Sequence, residues 1–182
     1  MFPKKIHTTD IDTFFFEVTD RFELKSIIQN IFTDEWIFFY FKRTENLTDD
    51  VILESLKEDI DNDFKEYGEY QYLQKVDDNL FDSVGVLKKS IMFSNTVLKM
   101  WEYYYSVFIF QPVSIDMWES YKNFATEIAI KGSDLFGRKH IELGFCEFVV
   151  MKNLGGNELI LSCKKELSDE ILKNIGVNPM VW

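Results

Sequence analysis

Five segments of the chain have the residue pattern of β-strands. Thr13–Thr19 is β-branched and aromatic, and Glu35–Lys42 is apolar on both faces, which predicts a central strand covered on both sides. Tyr103–Phe110 predicts a second buried strand. Ile141–Lys152 and Glu158–Lys164 flank two adjacent glycines and therefore predict a β-hairpin.

Apolar residues at helical spacing predict five further elements, most of which begin at a residue suited to capping. Gly68–Val76 and Lys131–His140 lack such a pattern and are predicted to be loops. The predicted helices are Asp20–Phe32, Asp49–Tyr67, a pattern from Asp77 or Asp78 to Trp101 with Ser94–Thr96 as a point of interruption, a helix capped by Ser114 that includes Met117–Ile128, and a short last helix from Ser168 to Gly176.

The order of these elements predicts an α+β fold. Strands interleaved with helices, followed by a hairpin and a short helix, indicate one mixed β-sheet covered by helices. The chain has 182 residues, of which 46% are hydrophobic. This length fills one core and is too short for two ordinary domains, so we expect residues 1–182 to form a single domain.

The charge of the chain is concentrated in one segment. The formal net charge is -11, and residues 45–82 contain thirteen acidic residues against three lysines. This segment therefore carries almost all of the excess negative charge. Such a cluster costs self-repulsion in the folded state. It is either a solvated face or a surface that binds a positively charged partner.

Residues Asp49–Tyr67 place their apolar side chains on one helix face and carboxylates on the opposite face. Acidic residues four positions apart repel each other slightly, so they do not stabilise the helix. Tyrosines follow the acids, a mixture typical of protein interfaces. The predicted partner-binding residues are Asp50, Glu54, Glu58, Asp61, Glu66 and Glu69, with Tyr67, Tyr70 and Tyr72.

Other chemistry is weakly indicated. Asp59, Asp61 and Asp63 begin like a calcium loop, but the glycine and glutamate that such a loop requires are replaced by aromatic residues. Cys146 and Cys163 lie on the two strands of the predicted hairpin and are expected to share one face of the sheet, as small core residues rather than a disulfide. We predict no metal and no cofactor.

His140 and Cys146 could form a nucleophile pair only if they were adjacent. On one continuous strand they would be roughly 20 Å apart, at about 3.3 Å per residue. Arg138, Lys139 and His140 form a small basic patch, of a kind that is more often solvated than anion-binding.

An acidic surface of this kind suits an inhibitor that neutralises a basic protein, typically a toxin with nuclease activity, because a nuclease must hold phosphates in a positive groove. Bacterial immunity proteins are similar to the chain in size and acidity, a likeness that no motif carries. Two alternatives remain: a nucleic-acid mimic that blocks a DNA-binding protein, and a carboxylate-based enzyme. The sequence favours the inhibitor, with no direct nucleic-acid binding, no enzymatic activity and an oligomeric state left open.

The N-terminus has no long apolar run after its lysines, unlike a secretory signal. The most apolar stretches, Trp36–Phe41 and Tyr103–Phe110, are far shorter than the roughly 20 residues of a membrane helix. We therefore expect a cytoplasmic protein without a membrane partner.

Overall fold

A computed structural model describes residues 4–7, 10–18, 21–33, 35–44, 51–75, 80–89, 93–103, 106–131, 137–152 and 158–176. The strands are β1 Lys4–His7, β2 Ile11–Glu17, β3 Trp36–Thr44, β4 Gly68–Lys75, β5 Leu80–Lys88, β6 Ser106–Pro112, β7 Cys146–Lys152 and β8 Glu158–Lys164. The helices are α1 Arg21–Ile31, α2 Val51–Tyr67, α3 Phe93–Tyr103, α4 Trp118–Lys131, α5 Arg138–Glu142 and α6 Ser168–Asn174.

The eight strands form one sheet in the order β1-β2-β8-β7-β6-β3-β5-β4. The α+β class is therefore confirmed. The expected mixed sheet is wrong in its detail, because each pairing of neighbouring strands is antiparallel. A helix between two strands produces a parallel pair only when it returns the chain to a neighbouring position. Here α1 joins β2 to β3, and α3 joins β5 to β6, which are not neighbours in the sheet.

Helices cover both faces of the sheet. On one face, α1, α2, α3 and α6 enclose an apolar cluster that we call the first core. On the other face, α4 and α5 enclose the second core. Strand β3 confirms the predicted central strand: Ile37, Phe39 and Phe41 point into the first core, whereas Phe38 and Tyr40 point into the second.

The segment after α2 was predicted incorrectly. Gly68–Val76 was expected to be a loop, but Gly68–Lys75 is strand β4 at the edge of the sheet. The long helical pattern up to Trp101 divides into strand β5 and helix α3. Strand β5 lies between two other strands and is buried on both faces, so its sequence lacks the polar alternation that would distinguish a strand from a buried helix.

The C-terminal part of the sequence prediction is confirmed. Strands β7 and β8 pair with Phe148 opposite Cys163, the register that a turn at the two adjacent glycines predicts. The turn itself lies outside the described residues. Helix α6 ends just before Gly176, whose φ of 76° is the left-handed conformation that commonly terminates helices.

The stretch from Lys131 to Lys152 differs from expectation. Residues Arg138–Glu142 form helix α5 rather than the end of a loop, and strand β7 begins at Cys146 rather than Ile141. The two most apolar stretches of the sequence overlap strands β3 and β6, as predicted. Among the described residues, we find no helix with the length and apolarity needed to span a membrane.

Candidate functional site

Three of the nine predicted partner-binding residues, Asp61, Glu69 and Tyr70, line a groove at one edge of the sheet. Helix α2 ends at Tyr67 and strand β4 begins at Gly68, so no linker separates the two elements. An open groove of about 350 Å³ lies where they meet, and we call it the acidic groove. It is lined by Asp61, Asn62, Phe64, Lys65, Gly68, Glu69 and Tyr70.

Glycine at position 68 allows β4 to approach β5 closely. A Cβ atom at this position would lie 1.9 Å from the carbonyl oxygen of Val86 and 2.9 Å from the Cα of Leu87. Both neighbours are backbone atoms of β5 and cannot turn aside. The position opposite Leu87 in the ladder therefore accepts only glycine without movement of β4, and this glycine sets where the groove begins.

The inner wall of the groove is aromatic and rigid. Phe64 is 1% exposed. Its ring centroid lies 5.7 Å from that of Phe39, 5.8 Å from that of Phe41 and 5.7 Å from that of Tyr70. Tyr70 is half-buried against the first core. Phe64 therefore fixes α2 on the sheet, while Tyr70 presents part of its ring to the groove.

Carboxylates lie on both elements that form the groove, and those of Asp61 and Glu69 belong to residues of its lining. Glu58 and Glu66 are exposed on α2, and Asp61 is half-buried. Glu69 is exposed on β4. Successive strand residues point to opposite faces, and Tyr70 lies on the α2 side, so the Glu69 side chain extends on the α4 side.

Tyr67 and Glu66 form a polar pair at the end of α2. The Tyr67 phenol donates a hydrogen bond to the Glu66 carboxylate, and this bond together with the negative charge of Glu66 raises the pKa of Tyr67. Tyr67 also packs against the first core, so the edge of the groove combines a charged acceptor with an aromatic surface.

Three predicted partner-binding residues cannot be placed in the groove. Asp50 lies outside the described residues. The backbones of Glu54 and Tyr72 belong to α2 and β4, but their side chains lie outside the described part of the chain. The six others lie on α2 and β4, and of these Asp61, Glu69 and Tyr70 line the groove.

Other acids of the same segment have structural roles. The buried Thr96 hydroxyl of α3 donates a hydrogen bond to the carboxylate of Asp63, which is 7% exposed. Asp59 Oδ2 lies 3.4 Å from the Lys99 ammonium. The acidic segment is thus not one uniform surface, because Asp63 holds α2 against α3 and Asp59 is countered by a lysine from another helix.

Asp82 is also internal. Its carboxylate is 1% exposed, and Oδ1 lies 3.8 Å from the Lys42 ammonium. Burial, followed by the charge and hydrogen bonding of Asp82, raises the pKa of Tyr40 far above its ordinary range. This group of three side chains stabilises the β3–β5 pairing within the second core and does not contribute to the groove.

Sequence reasoning missed two components of the site. Lys65 lines the groove among the acids and supplies its one described cation. The strand β4 was overlooked, although Tyr70 and Tyr72 alternate with the polar residues Glu69 and Gln71 immediately after α2. That alternation is the signal that could have identified the strand.

The other candidate chemistry does not form a site. Asp59, Asp61 and Asp63 belong to the continuous helix α2 rather than to a calcium loop. Cys146 and Cys163 are buried free thiols, as expected of core residues. They lie in the second and first cores respectively, so the expectation that they share a sheet face is wrong. The pairing of β6 with β7 is irregular between Cys146 and Val149, which accounts for the change of face.

His140 is a core residue and not part of an exposed basic patch. It is 1% exposed, and its Nε2 lies 3.3 Å from the hydroxyl of Tyr121. Aromatic rings, including Phe110 and Phe124, surround it. Within the described residues, no group of three or more His, Cys, Asp or Glu side chains is arranged to hold a metal ion.

Comparison with protein-family models, curated protein sequences and solved structures finds no match to this chain. The candidate site is therefore defined by its geometry alone. It is an open groove at a sheet edge, with an aromatic inner wall and with Asp61, Lys65 and Glu69 in its lining. Such an arrangement accepts hydrogen bonds from lysine and arginine side chains and offers aromatic surface to their alkyl stems or guanidinium planes.

Proposed function

We propose that this chain is an immunity-type binding inhibitor, acting in the cytoplasm, that neutralises a basic toxin domain. The observation that carries the proposal is the groove at the sheet edge, which Asp61 and Glu69 line together with Phe64 and Tyr70, next to a helix with further exposed carboxylates. Glu58, Glu66 and Glu69 are exposed, while Tyr67 and Tyr70 are half-buried beside them. Tyrosines next to charged residues are common at the centres of protein interfaces.

The concentrated negative charge does not stabilise the folded chain, but it suits the binding of a positively charged partner. The formal net charge of -11 resides almost entirely in residues 45–82. Glu58 and Glu66 are exposed on α2, where neighbouring carboxylates repel one another and raise the energy of the folded state. A positively charged partner removes this repulsion on binding, and its approach is accelerated by the same field.

A nuclease toxin is the partner class that fits the electrostatics best. Its active-site groove must be positive because it holds a phosphate backbone. A carboxylate-rich surface placed over that groove competes with the nucleic acid for the same lysine and arginine side chains of the toxin. The inhibitor would then act by excluding the substrate and would need no chemistry of its own.

The open shape of the groove favours a protein segment over an enclosed small molecule. Its volume of about 350 Å³ lies at the lower end of ligand pockets in proteins. Strand β4 is at the edge of the described sheet, so a protruding loop or strand can approach the groove from the side. Basic side chains on that segment would reach Asp61 on one side and Glu69 on the other.

The test starts with capture on the immobilised chain at low salt from an extract of the cells that produce it. The expected partner is basic, and its nuclease activity is abolished by one equivalent of this chain. Capture of a DNA-binding protein without nuclease activity would instead support the nucleic-acid mimic. If every captured protein keeps its full activity at saturation, the inhibitor proposal is wrong.

Charge reversal then locates the contact. The double variant Glu58→Lys with Glu66→Lys is expected to slow association with the partner by about tenfold or more at low salt, and the effect should shrink as salt is added. The matched control is Glu166→Lys with Glu170→Lys, which changes the net charge equally at exposed sites near α6. Equal association rates for the two double variants would place the contact elsewhere.

A further inference from the structure

Strand β4 is an edge strand whose backbone is paired on one side. In the part of the chain that the structure describes, β4 has β5 as its one strand neighbour. The ladder is regular from Gly68 opposite Leu87 to Tyr72 opposite Ser83, and its register shifts only after Tyr72. In an antiparallel ladder, alternate residues of the edge strand direct their N–H and C=O groups away from the partner strand.

The regular part of β4 contains neither proline, lysine nor a bulge, and Glu69 is its one charged residue. Natural proteins shield edge strands with proline, lysine or a bulge, which prevent another strand from adding. The five residues Gly68–Tyr72 contain neither proline nor lysine, and the irregularity between Tyr72 and Gln74 lies beyond them. Five residues are about the length of an ordinary strand, so this edge can pair a complete additional strand.

Carboxylates flank this edge on both faces of the sheet. Asp61 and Glu66 lie on the α2 side, while Glu69 extends on the α4 side. The side chains of an added strand alternate between the two faces. A strand that carried basic residues at successive positions would therefore meet negative charge in both directions.

We propose that an extended basic segment of the partner adds to the edge of β4 as a ninth strand. Its side chains would alternately enter the acidic groove and extend on the opposite, α4 side of the sheet. This inference rests on the proposed function, since it takes the partner to be basic. A second copy of this chain is disfavoured as the occupant. It would bring Glu69 and the α2 carboxylates of two molecules together, and like charges facing each other across strands are destabilising.

Strand addition can be distinguished from simple charge attraction by blocking the backbone of a probe. The probe is a synthetic peptide of about ten residues in which pairs of adjacent arginines alternate with threonine–valine pairs, so that arginine side chains point to both faces of the strand. It is long enough to pair with a strand of ordinary length. Two further peptides have the same side chains but carry N-methyl groups on all odd or all even residues. Each methylated peptide loses the hydrogen-bond donors of one edge and keeps those of the other.

Binding is measured by fluorescence anisotropy with the full chain at low salt. We expect the parent peptide to bind, one methylated peptide to bind at least about tenfold more weakly, and the other to retain the parent affinity within about threefold. Amide exchange of β4 followed by NMR should slow at alternate residues only. The variant Glu66→Lys with Glu69→Lys should weaken all three peptides.

The outcomes separate this inference from the function on which it rests. If all three peptides bind equally and charge reversal weakens them equally, the groove attracts a basic partner through side chains, and strand addition is wrong. If no peptide binds while the partner captured from cells is still inhibited, the inhibitor proposal stands and the added strand is again refuted. An acidic peptide with glutamate in place of arginine serves as the control for charge.

Discussion

Replacing Gly85 by alanine tests the packing that positions the acidic groove. Gly85 lies in β5 beneath α2, and a Cβ atom there would approach Phe64 Cε1 to 2.5 Å and Phe64 Cζ to 3.1 Å. The Phe64 ring cannot move aside easily, because it is buried and in contact with the rings of Phe39 and Phe41. The added methyl group therefore forces α2 away from the sheet or distorts β5.

The expected magnitude follows from two opposing effects. Overpacking of a well-filled core costs typically about 1–3 kcal/mol. Replacing glycine by alanine also restricts the unfolded chain, which stabilises the folded state by about 0.4–1 kcal/mol. Because the contact is far shorter than normal van der Waals separation, we expect overpacking to prevail and Gly85→Ala to lower the free energy of unfolding by about 1–2 kcal/mol.

A double-mutant cycle assigns this loss to Phe64. The variant Phe64→Leu removes the ring atoms that would collide with the new methyl group, so Gly85→Ala should cost less in that background. Residues in direct contact show interaction energies of about 0.5–3 kcal/mol. We expect a value near 1 kcal/mol for Gly85 and Phe64, with the double variant more stable than the sum of the single losses predicts.

Urea-induced unfolding gives the free energy of unfolding of the unaltered chain, the two single variants and the double variant. These free energies are compared once the slope of free energy against urea concentration is the same for all four proteins. Gly144→Ala provides the matched control. Gly144 has a φ of 77°, and no atom lies within 4 Å of the position that a Cβ atom would take there. Alanine at this position therefore costs backbone strain of about 1–2 kcal/mol and meets no neighbour. That loss should be the same with Phe64 or Leu. If Gly85→Ala costs the same in both backgrounds, the proposed collision does not occur.

Three other changes test the surroundings of the groove. Thr96→Val leaves the buried Asp63 carboxylate without its hydroxyl donor, and urea unfolding should show a loss of about 1–3 kcal/mol, whereas Thr96→Ser should lose much less. Gly68→Ala places a methyl group against the β5 backbone, so amide exchange in β4 should accelerate and the unfolding free energy should fall by at least about 1 kcal/mol; unchanged exchange would contradict the close approach. The raised pKa of Tyr40 means that its neutral form is favoured by folding, so this contribution is complete below about pH 10 and is lost at higher pH. Above pH 10, Tyr40→Phe should therefore lose stability less steeply than the unaltered chain, by up to about 1.4 kcal/mol per pH unit; identical slopes would contradict the burial of the phenol beside Asp82.

The elements that could be predicted from the sequence are those whose burial is visible in the pattern of their own consecutive residues. Strand β3 is apolar over successive residues because both of its faces are covered, and this is visible in Ile37–Phe41 without knowledge of its partners. In α2, Ile60 and Phe64 recur on one face while Glu58 is exposed on another, so the helix and its orientation follow from local spacing.

The elements that were missed depend on contacts between distant segments. The sequence of strand β5 alone fits a buried helix as well as a strand. Only its pairing with β3 and β4 shows that it is a strand. Asp63 has the same residue type and the same helix as Asp59, yet the first is buried because Thr96 of α3 lies opposite. Composition can locate a charged segment, but it cannot assign individual carboxylates to the surface or the interior.

The position of the acidic segment gives its charge two consequences that reinforce each other. An unprotected edge strand is a hazard, because any free strand can pair with it. Glu66 and Glu69 place negative charge beside this edge, which opposes pairing with another copy of the same acidic chain. The same charge attracts a basic strand. If strand addition to β4 occurs, the carboxylates therefore select the partner by sign, while the backbone of Gly68–Tyr72 supplies hydrogen bonds that any strand could use. The carboxylates of α2 and Glu69 would then determine which partner binds, and the backbone hydrogen bonds of β4 would contribute most of the affinity.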